Sequence, residues 1–321
     1  SSIVITNHVN PDGDAMGSAL GLFGILKGIG ISSRVIVPNQ YPDFLKWMEG
    51  DDEVVVYEGN EEIAEKYVSE ADLIIHLDYN ALKRSGPMEE CLSRAKAKRI
   101  MIDHHQQPDD FADVMFSDTS MSSTCELLFH ILHQLGWTGK MQQHQAECLY
   151  TGIMTDTGSF RFNSTTPTTH QVAGALLGKG VEPNEMASRV YDINTPGRLQ
   201  LLSKALLSME VLPDLPVAII KLSAEELKRY EYRKGDTEGF VNFGLSVSGV
   251  KVSVFMSEKD DLIKMSFRSK GNFDVNKLAR KHFNGGGHKN AAGGASHQSL
   301  EETVVRFKEI IIDYKDEFQK A

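Results

Sequence analysis

The sequence predicts an α/β protein: a doubly wound parallel sheet followed by a smaller α/β domain. Three observations carry this reading. Apolar, strand-like runs at 2–7, 33–37, 53–57, 72–77 and 99–102 alternate with helical patterns near 14–28, 60–69 and 87–97. Three of those runs end in acids or histidines, as the strands of an open sheet do when they line a crevice: His8-Val9-Asn10-Pro11-Asp12-Gly13-Asp14, Leu77-Asp78 and Asp103-His104-His105. After Pro213 and Pro216 a second set of strand and helix patterns begins.

The first run, Ile3-Val4-Ile5-Thr6, is β-branched throughout and leads into a loop that Pro11 and Gly13 make tight, before the small, apolar helix start Ala15-Met16-Gly17-Ser18-Ala19-Leu20. From about 122 the pattern turns helical. Apolar residues recur three and four apart over 123–135, 144–155 and 168–179, which puts Asp156 at a helix end. The stretch 181–210 is mostly helical as well, with Pro183 and a turn at Thr195-Pro196-Gly197. Beyond the boundary, strands are expected at 217–222, 250–257 and 262–268, and helices near 224–230, 237–246, 274–282 and 300–318. The run Asn284-Gly285-Gly286-Gly287-His288 lies between the last two helices and reads as a loop.

Composition narrows the classes. With 321 residues, 41% of them hydrophobic, the chain can build two cores, and no apolar run approaches the roughly 20 residues a membrane span needs. It opens directly into a strand, with no basic or apolar leader, and Ser1 in place of Met reads as a processed start. Cys91, Cys125 and Cys148 are odd in number and set in apolar helical patterns, so they are expected as reduced core thiols in a cytoplasmic protein. A net charge of −10 excludes a generally basic, nucleic-acid-coating surface, yet 264–289 holds seven Lys or Arg against one acid, Asp274. An anionic partner is expected there.

Carboxylates and imidazoles converging on one crevice point to divalent metal. Asp12, Asp14, Asp78 and Asp156 together carry about the charge that two such ions neutralise. The bland reading of Asp14 is an N-cap of the following helix, which explains neither His8 nor Asp12. Asp78 alone could be a turn residue; its central position in the chain makes it the candidate bridging carboxylate. Asp103-His104-His105 closes a buried-looking strand, which rarely ends in a charged triplet without a partner for it. Asp156, at a helix C-terminus, needs a positive neighbour to offset the macrodipole. His76, alternating with apolar residues inside its run, reads as structural. Arg268, at the end of Ile263-Lys264-Met265-Ser266-Phe267, suits a phosphate clamp or a plain surface ion pair, and the glycine run suits an anion-binding loop or a flexible one. Phe267, Phe273 and Phe283 read as core rather than as base-stacking rings.

With those residues assembled, the chain resembles the DHH-family phosphoesterases. Asp103-His104-His105 is the triplet that names the family, and the segments around Asp12, Asp78 and Asp156 follow its order. Arg268-Ser269 and Gly285-Gly286-Gly287-His288-Lys289-Asn290-Ala291-Ala292-Gly293 resemble the DHH-associated C-terminal domain of the RecJ-like branch. Within that branch the compact chain is most similar to the bifunctional oligoribonuclease and pAp-phosphatase group. The resemblance implies a DHH catalytic, metal-binding domain over 1–190, a linker over 191–213 and a DHH-associated substrate-binding domain over 214–321, with the active site in the cleft between domains. It implies that His8, Asp12 and Asp78 hold one divalent cation while Asp14, Asp78, His104 and Asp156 hold another. Mn²⁺ is expected first, with Mg²⁺ or Co²⁺ as alternatives. Catalytic roles fall to Asp78, Asp103 and His105, with His105, Arg268, Gly286, Gly287 and His288 binding substrate. The expected substrates are short single-stranded RNA and 3′-phosphoadenosine 5′-phosphate (pAp), with no membrane partner, and a homodimer is the assembly considered. A cyclic di-AMP or linear dinucleotide phosphodiesterase, and a non-catalytic nucleotide-binding protein, are the competing readings.

Overall fold

The computed structural model describes residues 2–259 and 262–320 and divides into two compact units, Ser1–Ile193 and Asn194–Ala321. In the first unit, strands β1 (Ile3–Thr6), β2 (Ser33–Val37), β3 (Val55–Val56), β4 (Leu73–Leu77), β5 (Lys98–Asp103) and β6 (Val114–Ser117) form one sheet in the order β3-β2-β1-β4-β5-β6. All its pairs are parallel, so every strand ends at the same edge. β1 pairs with β2 on one side and β4 on the other. The chain therefore leaves its two neighbouring strands in opposite directions, and the crevice opens beyond the ends of β1 and β4. β6 extends the predicted sheet by one short strand, Val-Met-Phe-Ser, whose length and half-exposed faces leave no clear period in the sequence.

Helices α1 (Gly13–Gly28), α2 (Glu61–Ser69), α3 (Glu89–Arg94), α4 (Thr124–Gln134), α5 (Gln143–Asp156), α6 (Pro167–Leu177) and α7 (Pro183–Tyr191) cover the sheet. α1 is buried almost all round, which its small residues permit. A Cβ on Gly17 would lie 2.5 Å from the Cys148 carbonyl oxygen, and one on Gly152 would lie 2.9 Å from Asp14 Oδ1. The α1–α5 contact thus needs glycine on both helices, and it fixes Asp14 against the end of α5. All three cysteines are buried and unpaired.

The second unit begins with α8 (Pro196–Leu207) and β7 (Glu210–Val211), so most of the segment expected as a linker is regular structure belonging to this unit; Leu201 and Ala205 of α8 pack in a core with Ile220 and Leu222. β8 (Val217–Leu222), α9 (Ala224–Arg229), α10 (Phe240–Ser246), β9 (Val252–Lys259), β10 (Leu262–Ser269), α11 (Val275–His282), β11 (Gly286–His288), β12 (Ala291–Ser296), α12 (Leu300–Ile312) and α13 (Lys315–Lys320) complete it. Its sheet runs β11-β12-β10-β9-β8-β7, with only β8 and β9 parallel. Phe267, Phe273, Phe283 and Phe307 are buried in one core cluster, as the core reading of the aromatics requires. The glycine run is no free loop: it forms β11 and pairs antiparallel with β12. A Cβ on Gly285 would lie 1.9 Å from the Gly293 carbonyl oxygen, so the close approach of two strands demands glycine there. Among the described residues no helix is long and apolar enough to cross a membrane.

Candidate metal centre

The loops after β1, β4 and β5 meet the end of α5 in the first unit. Asp12 caps α1, its Oδ1 accepting from the backbone N–H groups of Asp14 and Ala15 at 3.1 Å each. The cap is thus Asp12 and not Asp14, because the helix begins one residue earlier than its apolar pattern. Asp14 turns toward the N-terminus of α4, where Thr124 N donates to Oδ2 at 2.6 Å and Cys125 N to Oδ1 at 2.9 Å. Asp78 follows β4 with φ of 64°, a left-handed conformation that a non-glycine residue holds only when its surroundings impose it. Its N–H donates to the Ile102 carbonyl of β5 at 3.1 Å, and its Oδ1 accepts from Thr124 Oγ1 at 2.9 Å.

Two of the donor groupings that result are candidate cation sites of the expected membership. Donor atoms of His8, Asp12 and Asp78 lie within 4.8 Å of one another, and so do those of Asp14, His104 and Asp156. Asp78 faces both. Its Oδ2 is 3.3 Å from His8 Nε2, and its Oδ1 is 3.7 Å from His104 Nε2. His104 Nε2 also stands 3.3 Å from Asp156 Oδ2, the positive-capable neighbour that the acid at the end of α5 calls for. Each histidine has its other ring nitrogen engaged by a backbone carbonyl: His8 Nδ1 with Val9 O at 2.9 Å, His104 Nδ1 with Met121 O at 3.2 Å. That arrangement fixes a proton on Nδ1 and turns Nε2 toward the carboxylates, the orientation in which a histidine ligates a cation through Nε2.

The electrostatics fit cations. Burial first, and Asp14 second, push the Asp78 carboxyl up to about 8 against the pull of His8, and burial also raises Asp14 despite His104. Burial disfavours the charged form of His8, but hydrogen bonds and charge from Asp12 and Asp78 outweigh it and hold the imidazole up at about 10. The centre therefore keeps protons where divalent ions would otherwise supply positive charge. His76 lies fully buried in β4 against Tyr79 and Phe111, with burial holding it at about 3, consistent with a structural role.

His105 is placed differently from His104. Its Nδ1 and backbone N both bond to Asp103, at 2.6 Å to Oδ1 and 2.9 Å to Oδ2, which holds the buried ring by its Nδ1 edge. Burial, then the charge of Arg84, hold the ring well below its ordinary value.

In the second unit, Arg268 of β10 and His288 of β11 are both register partners of Ala291 on the intervening β12. They stand at one level of the sheet. Asn276 Oδ1 accepts from Gly287 N and from Arg280 Nε, each at 3.0 Å, pinning the glycine strand to α11. Thr124, Met121 and Asn276 escape a sequence reading because nothing in their local pattern marks a hydrogen bond to a residue far along the chain.

Residues 2–153 match the model described as DHH family, N-terminal domain, and residues 215–316 match the DHHA1 domain. The chain is 32% identical to the bifunctional oligoribonuclease and PAP phosphatase NrnA of Thermus thermophilus, over 91% of this chain and 83% of that protein. The chain belongs to the DHH family. The NrnA of Bacillus subtilis is 30% identical over 94% of this chain and 91% of its own length. Among solved structures, an exopolyphosphatase-related protein from Bacteroides fragilis is 42% identical and superposes with a TM-score of 0.95, over 99% of this chain and 94% of that one. The strand-end triplet Asp103-His104-His105 is thus the DHH motif of this family member.

Proposed function

We propose that this DHH-family chain is a metal-dependent phosphoesterase that hydrolyses short oligoribonucleotides to mononucleotides and removes the 3′-phosphate of pAp. The observation that carries the reading is the pair of His/Asp groups, His8-Asp12-Asp78 and Asp14-His104-Asp156, with Asp78 facing both, in a chain about 30% identical to bifunctional oligoribonuclease and PAP phosphatases over nine-tenths of its length. His8, Asp12 and Asp78 would hold one cation, and Asp14, Asp78, His104 and Asp156 the other. Mixed imidazole and carboxylate donors favour Mn²⁺ over Mg²⁺, which prefers oxygen alone. When bound, such a pair of ions lowers the pKa of water near neutrality and neutralises charge on a phosphoryl group.

The protein's own groups do the rest. His105 keeps its Nδ1–H on Asp103 and offers Nε2 to the substrate. An arriving anionic phosphate raises the affinity of that nitrogen for a proton, and the protonated ring then donates to a phosphoryl oxygen as negative charge builds there. Asp103 acts through His105 as a positioning residue. Water adds to phosphorus as the bond to the departing nucleoside oxygen breaks, and the proton lost by water balances the one gained by the leaving group. We assign Arg268, His288 and the backbone of Gly286 and Gly287 to the substrate's further phosphates.

Purified full-length protein with Mn²⁺, assayed in parallel on pAp, on di- to pentaribonucleotides and on cyclic di-AMP, tests this. Release of orthophosphate from pAp and of mononucleotides from the oligomers is expected. Turnover of cyclic di-AMP alone would move the assignment to a cyclic-dinucleotide phosphodiesterase.

A further inference from the structure

The segment that follows Asp78 is fastened to both neighbouring loops of the centre. Val9 N, next to His8, donates to the Arg84 carbonyl at 2.7 Å. Two residues on, Gly86 adopts φ of 56°, and a Cβ there would stand only 3.2 Å from the Val9 side chain. On the other side, Asn80 Nδ2 donates to the Gln106 carbonyl, next to His105, at 2.6 Å, and Asp109 N donates to Asn80 O at 2.8 Å. Arg84 thus sits on a backbone clamped between the His8 loop and the His105 loop.

Its side chain has no such anchor. The Arg84 guanidinium is half-buried and forms no hydrogen bond or ion pair among the described residues. Other arginines of this unit are engaged: Arg99 donates to the carbonyls of Leu92, Ser93 and Ala95, and Arg189 pairs with Glu185. Holding a guanidinium partly out of water on a loop bonded to the His8 and His105 loops, with no carboxylate in an ion pair with it, costs free energy that an anionic ligand would recover. A planar donor fork matches two oxygens of a phosphate.

We propose that Arg84 binds a non-bridging oxygen of the scissile phosphate beside His105, giving the first unit its own phosphate-binding cation. The assignment rests on the phosphoesterase reading above and separates Arg84 from Arg268 by what each touches. Arg84 meets the phosphate common to every substrate, whereas Arg268 meets phosphates that only nucleotides carry.

The test uses full-length Arg84→Ala and Arg84→Lys loaded with Mn²⁺. On a 5′-phosphorylated diadenylate and on bis-p-nitrophenyl phosphate alike, the Ala variant should lose about 10²-fold or more in kcat/KM, as for removal of one transition-state donor. The Lys variant should recover part of that, and millimolar guanidinium ion added to the Ala variant should restore part of it, a rescue that a purely structural role would not permit. Mn²⁺ stoichiometry and affinity by calorimetry should match wild type, while orthophosphate should bind about tenfold more weakly. Wild-type kcat/KM in the Ala variant, or loss of Mn²⁺ from it, would overturn the proposal. If the wild-type protein hydrolysed neither compound, the phosphoesterase reading would fail by itself; orthophosphate affinity would still judge Arg84, with equal binding to wild type and variant counting against it.

Discussion

His105 and Asp103 are joined twice: the ring Nδ1 bonds to one carboxylate oxygen at 2.6 Å and the backbone N–H to the other at 2.9 Å. Asp103 is fully buried, so this double contact sets both the rotation of the ring and which nitrogen carries the proton. Asp103→Asn would keep the shape but replace one acceptor by a donor. We expect kcat to fall about 10²-fold while both cations stay bound. Metal analysis of the purified variant checks the second half; a missing ion would make Asp103 a ligand.

Asp78 presents one oxygen to His8 and the other to His104. Asp78→Ala should therefore abolish turnover and lower occupancy of both ligand sets together. Retention of two ions with near-normal kcat would remove the bridging role.

Thr124 ties the two carboxylates to one point, its Oγ1 donating to Asp78 and its N–H to Asp14. Thr124→Val keeps the backbone bond and deletes the hydroxyl. Cation affinity should drop about 10-fold, in the range typical of lost outer contacts, and Thr124→Ser should restore it. Mn²⁺ titration by calorimetry reads both.

The Asp78 carboxyl, raised to about 8, and the His8 imidazole, raised to about 10, hold their protons jointly, each responding to the charge of the other. Both folded values lie above the ordinary ones of 3.8 and 6.5, so the stability these two groups add is fully present below the ordinary values and is lost as pH rises through 8 and then 10. Cation binding must displace the same protons. Apparent affinity should rise with pH, more steeply below 8 than above it. Calorimetry in buffers of different ionisation enthalpy measures the protons released, and none released at pH 7 would contradict the assignment.

Gly152 leaves no room for a methyl group: a Cβ would meet Cys125 Sγ at 2.3 Å and Asp14 Oδ1 at 2.9 Å. Gly152→Ala should destabilise the protein by about 1–3 kcal/mol through overpacking and also weaken cation binding, because Asp14 must move. Thermal melting with and without Mn²⁺ separates the two effects.

Much of this molecule is written locally. Alternation of β-branched runs with helical periods marks the parallel sheet, and Asp or His at the run ends marks the crevice, because those residues are disfavoured in a strand unless something answers their charge. The β11–β12 hairpin escapes the same reading. Its Gly and Ala residues carry no apolar alternation, and what makes them a strand is the close approach of Gly285 to Gly293.

The sequence by itself determined the fold class and the residue types of the candidate metal centre, since periodicity and acid placement are properties of neighbouring residues. Only the tertiary structure decided that β1 lies between β2 and β4, that Asp12 and not Asp14 caps α1, that Thr124 supports two carboxylates, and that the loop carrying Arg84 is bonded to the loops of His8 and His105. These are relations between residues distant along the chain. They follow from which helices can pack closely and which loops then meet, and a local pattern carries no record of either.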